Sequence, residues 1–90
     1  MKLQITPIKA YIDQDLSKKL NATVIVCRKR AVKYLIVLGK DGTLLKLTRE
    51  TKWGQSEDIY EPSYILGLPE AWHILNNLKK ERYIDFRVIK

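Results

Sequence analysis

The chain has 90 residues, 46% of them apolar, with 17 Lys and Arg against 10 Asp and Glu for a net charge of +7. That is enough for one modest core and too little for two independent ones. A single cysteine, Cys27, excludes an intramolecular disulfide and any metal site built from the cysteines of this chain. Residues 1–10 carry two lysines and a proline where a signal peptide needs a continuous apolar stretch, and no run approaches transmembrane length. One soluble, cytoplasmic domain spanning 1–90 is expected, without cofactor or metal. A charge of this sign on so short a chain favours polyanionic partners.

In chain order, residues 13–20 read as a first short helix. Acids open it, Lys18 and Lys19 close it in keeping with the helix dipole, and Asn21 can end it. Residues 23–26 and 32–38 are rich in β-branched and aromatic side chains, and the second run ends on the turn Gly39-Lys40-Asp41-Gly42. Residues 43–49, TLLKLTR, supply the returning strand, so three strands form an antiparallel meander. Cys27 follows the apolar run Val24-Ile25-Val26, which predicts a buried small residue rather than a reactive thiol.

Residues 50–62 are polar, carry three acids beyond Glu50 and lack helical periodicity, which predicts a loop or extended crossover. A second helix begins at Pro69, a residue suited to the first helical turn, and loses its pattern near Asn76-Asn77. Residues 83–89 alternate, with Ile84, Phe86 and Val88 on one face and Asp85 and Arg87 on the other, predicting a strand with one buried side. The sum is a mostly β, α+β fold with two short helices and an antiparallel sheet. At an offset of 55, Pro7 falls on Pro62, Asp15 on Glu70, and Leu20-Asn21 on Leu75-Asn76. A degenerate internal repeat, 1–40 and 43–90, and a chance likeness both remain open.

The charge is uneven. Residues 1–17 sum to zero, whereas residues 18–52 hold ten bases against Asp41 and Glu50, for +8. Residues 53–70 hold four acids and no base, and residues 71–90 return to +3. Within the basic segment, Arg28, Lys29, Arg30, Lys33, Lys46, Arg49 and Lys52 stand on or beside the three strands, where they could lay a ribbon of charge along phosphates. Alternation puts Arg28 and Arg30 on the face of Val24 and Val26, with Lys29 opposite, so one patch cannot hold them all. Lysines also shield sheet edges from aggregation, but the local excess is larger than that role needs.

The C-terminal third, SYILGLPEAWHILNNLKKERYIDFRVIK, resembles the swapped-hairpin domain of the AbrB, SpoVT and MazE family of DNA-binding proteins. Leu47-Thr48-Arg49 with Gly54-Gln55 stands for that family's basic strand and turn. Tyr64 through Pro69 stands for the second strand, Leu78-Lys79-Lys80 for the bend, and Ile84 through Lys90 for the last strand. Glu81-Arg82 replaces the usual Gly-Asp, and residues 56–62 look like an insertion. The resemblance implies a small swapped-hairpin-like β-barrel, formed by a homodimer or by a pseudo-dimeric monomer. It also implies double-stranded DNA binding, sequence-tolerant or specific, by a small transcriptional regulator. By position it singles out Arg49 and Lys52; the other five bases rest on charge alone.

Two further non-enzymatic readings stay open. One is a single-stranded nucleic-acid binder in which Tyr34, Trp53 and Tyr60 stack on bases. The other is a protein-interaction or inhibitor module, of viral or toxin-antitoxin type, using Glu57, Asp58, Glu61 and Trp53. Catalysis is not expected, because His73 is the sole histidine and no phosphate loop precedes a helix.

Overall fold

Alternation in KLQITP sends Leu3 and Ile5 inward and leaves Lys2, Gln4 and Thr6 exposed, and these residues form a first strand, β1 (Lys2–Pro7). The computed structural model describes residues 1–89, with Ile65 described by its backbone alone. After β1 comes a two-residue strand, β2 (Tyr11–Ile12), and then α1 (Gln14–Leu20). Asp13 caps that helix by accepting the Leu16 N–H at 3.0 Å, and Asn21 ends it in the left-handed region at φ 52°. The Ser17 hydroxyl oxygen accepts the Val24 N–H at 2.9 Å, tying the helix to the strand that follows.

That strand is β3 (Thr23–Lys29), succeeded by β4 (Val32–Leu38), β5 (Leu44–Thr51) and β6 (Ser56–Tyr60). With β2 they form one antiparallel sheet in the order β2-β3-β4-β5-β6. The expected meander is present, but residues 50–62, expected as a loop or extended crossover, hold the end of β5, a turn and a further strand. The chain reverses at residues 52–55, with Gly54 at φ +81°, and returns as β6. Glu57 and Asp58 gave this stretch its loop-like polarity. On an edge strand they are tolerated because the partners they need lie on β5.

α2 (Leu68–Lys80) runs past Asn76-Asn77, where its pattern was expected to fade. Ala71, Ile74, Leu75 and Leu78 make a continuous buried stripe at helical spacing, while the two asparagines face solvent. The helix begins tightly against β6. A Cβ on Gly67 would collide with the Ile59 carbonyl and the Tyr64 ring, so only glycine fits there. The last strand, β7 (Ile84–Ile89), pairs antiparallel with β1 from Lys2↔Ile89 to Pro7↔Ile84. Ile84 and Phe86 are buried as alternation predicts, whereas Val88 is exposed although its cross-strand partner Leu3 lies in the core.

The result is an α+β fold of antiparallel sheets. α2 and the β1–β7 ribbon cover one face of the five-stranded sheet, and Leu3, Ile25, Cys27, Ile36, Leu47 and Leu75 lie in the shared core. The opposite face carries a smaller cluster, Val24, Val26 and Val37, roofed in part by Leu16 of α1. At one corner the sheets join: Leu3 N–H donates to Gly42 O at 2.8 Å and Leu44 N–H to Met1 O at 2.9 Å. No helix of the described residues is long and apolar enough to cross a membrane.

Candidate nucleic-acid interface

Strand register decides which basic side chains can act together. Arg28, Lys33 and Glu50 stand in one cross-strand row, and the next row, Cys27, Tyr34, Arg49 and Glu57, points to the other side of the sheet. Cys27 belongs to the core beneath α2, so Arg49 lies on the α2 face and Arg28 and Lys33 on the α1 face. Lys29 also lies on the α2 face and pairs with Glu81, just past the end of α2. Lys46, opposite Val37, sits on the α1 face toward the other end of β5. The seven expected bases are therefore not one ribbon.

Most of them are already answered by an acid. Lys33 pairs with Glu50 at 3.2 Å, Lys46 with Asp58 at 3.3 Å, and Arg49 with Glu57 at 2.6 Å. The hydrogen bond that Arg49 donates to Glu57 raises the arginine's pKa. Asp58 is held further by the Thr48 hydroxyl at 3.0 Å. Among the described residues, Arg28, Arg30 and Lys52 are the expected bases without an acidic partner within salt-bridge distance. The strand acids were visible in the sequence as a run of charge, but which bases they neutralise depends on the β5–β6 register.

The unpaired cations meet at one end of the sheet. The Lys52 N–H donates to Ala31 O at 2.9 Å, stitching the β5–β6 turn to the β3–β4 turn. Around that bond Arg28, Arg30, Lys33 and Lys52 line a concavity of about 200 Å³ whose one acid is Glu50. Arg30 stands in the tight turn between paired Lys29 and Val32, at φ 57°, outside the strand. Strand alternation therefore does not fix its direction, contrary to the expectation that it shares the face of Val24. Beside the cluster Trp53 is 74% exposed, with Lys52 Nζ 4.7 Å from the centre of its ring. Tyr34 and Tyr60 are half-buried against the core, so Trp53 is the freest of the three expected stacking residues.

A second hollow, about 730 Å³, opens on the α2 face at the same end. Val32, Tyr34, Arg49, Thr51, Gln55 and Glu57 line it. The Thr51 hydroxyl oxygen is buried without a hydrogen-bond partner among the described residues. Sequence reasoning missed this groove. The signal it could have used is the alternation of Val32 with Tyr34 on β4, opposite Thr51 and Arg49 on β5.

Cys27 is fully buried, and burial pushes its thiol up to about 11. His73 is exposed on α2, 3.2 Å from the Asn77 amide. No family model matches the chain, and neither a curated protein nor a solved structure matches it.

Proposed function

We propose that the protein binds nucleic acid, with DNA the expected class, by gripping phosphates at the basic end of its five-stranded sheet. One observation carries this reading. The Lys52–Ala31 bond gathers four cations around a single concavity in which the one acid, Glu50, is paired with Lys33, while the bases elsewhere on the sheet are held by acids. Guanidinium groups supply paired donors to phosphate oxygens and lysines supply point charges. A site of this kind yields affinity led by backbone charge and a marked dependence on salt. The resemblance of the C-terminal third to swapped-hairpin domains adds a role as a small transcriptional regulator. Of the two bases that resemblance selects, Lys52 belongs to the cluster and Arg49 does not. The reading as a protein-interaction module draws less support, because Glu57 and Asp58 are engaged within the sheet.

The test is a fluorescence-anisotropy titration of duplex DNA, single-stranded DNA and matched RNA at two salt concentrations. Binding that weakens steeply with salt is expected, with Arg28→Ala, Arg30→Ala and Lys52→Ala each lowering the salt slope by about one. Affinity weaker than about 100 μM for every nucleic acid at low salt lies below ordinary non-specific binding and overturns the proposal.

A further inference from the structure

The basic concavity and the groove on the α2 face open on opposite sides of the sheet, yet both are lined by Val32 and Thr51. They are two sides of one edge, the sheet end that carries the turns at 30–31 and 52–55. We propose that the substrate class is single-stranded nucleic acid, its backbone held in the basic concavity and one unpaired base seated in the groove. This rests on the nucleic-acid reading of the basic end and specifies which form of the polymer that end accepts.

The chemistry of the groove suits a heterocycle. Val32 and the Tyr34 ring offer apolar and aromatic surface, while polar groups converge from the other side. Thr51 adds to the lining between them, with its hydroxyl oxygen buried. Arg49 is fixed by Glu57 through one Nη2 bond, and a guanidinium has five N–H donors in all, so rigid donors remain for a base edge. The exposed Gln55 side chain adds both a donor and an acceptor. The volume falls within the range of small-molecule sites, roughly 300–1,000 Å³.

Path decides between one strand and two. To touch both hollows the polymer must turn around the sheet end within the thickness of one sheet. Single strands bend on that scale, whereas a duplex, with a persistence length of about 150 bp, reaches the groove only by extruding a base. Trp53 stands in the turn between these contacts, with Lys52 lining the concavity on one side of it and Gln55 lining the groove on the other. Its exposed indole gives the neighbouring base a stacking platform, and stacking is indifferent to base identity.

The experiment measures binding of oligo-dT, oligo-dA, oligo-dC and a duplex of equal length to the intact chain and to Thr51→Val, Gln55→Ala and Trp53→Ala. Tighter binding of at least one homopolymer than of the duplex is expected. Trp53→Ala should weaken all single strands about five-fold or more. Thr51→Val, which keeps shape and strand propensity, should change the ratio of affinities among homopolymers while leaving the salt slope intact. Gln55→Ala, at an exposed turn, gives the same readout should the valine variant fail to fold. Equal or tighter duplex binding, or homopolymer ratios unmoved by both groove variants, overturns the groove proposal while leaving the basic site standing. Absence of binding to any nucleic acid overturns both.

Discussion

Arg49 Nη2 donates to Glu57 Oε2 across 2.6 Å, so one of the two bases that the C-terminal resemblance singles out is held by its cross-strand neighbour. Glu57 is largely exposed, and pairs of this kind contribute about 0–1 kcal/mol to stability. Glu57→Gln should therefore cost the fold little. It should release a full cation beside the basic end, raising nucleic-acid affinity and increasing the salt slope by about one. Anisotropy titrations at two salt concentrations, paired with urea unfolding, check both halves.

Arg30 gives the converse case. Its φ of 57° is one that glycine adopts freely and arginine does not. Arg30→Gly should leave the fold as stable as before or up to about 1 kcal/mol more so, while weakening binding. A variant that gains thermal stability and loses affinity separates the charge of this residue from any structural duty.

Gly67→Ala should be destabilising by about 1–3 kcal/mol although the backbone there is ordinary, at φ −78°. The cause is steric: the added methyl meets the Ile59 carbonyl and the Tyr64 ring, forcing α2 away from β6. A lower urea midpoint with an unchanged m-value is the expected result.

Cys27 carries a pH prediction. Its folded pKa of about 11 lies above the ordinary 9.0, so between these values the unfolded chain has lost the proton that the folded chain keeps. Stability from this group is whole below pH 9 and declines as pH rises toward 11, by about 1.4 kcal/mol per pH unit. The difference between the unmodified chain and Cys27→Ala isolates this effect from other titrating groups. In the native state at pH 8 the thiol should resist alkylating reagents and react once urea exposes it.

The central strands and both helix starts were legible because local signals agree. β-Branched runs sit on either side of a tight turn, Asp13 and Asn21 cap α1, and Pro69 opens α2. β1 was not read: its alternation rests on Leu3 and Ile5 alone, and the strand that completes the ribbon, β7, lies at the far end of the chain. β6 was hidden by its own acids, whose partners are cross-strand and invisible to a linear reading. The same physics limited the site. Alternation correctly separated Lys29 from Arg28. It could not say that Lys29 meets Glu81, nor that the stitched turns bring Lys52 beside Arg28 and Arg30.

The β6 acids have a second effect, on self-association. β6 is an outer strand of the sheet, and such an edge invites another strand to add to it. Charged side chains on an outer strand discourage such pairing, and β6 carries Glu57 on one face and Asp58 on the other. The carboxylates that hold Arg49 and Lys46 thus also blunt this border of the sheet.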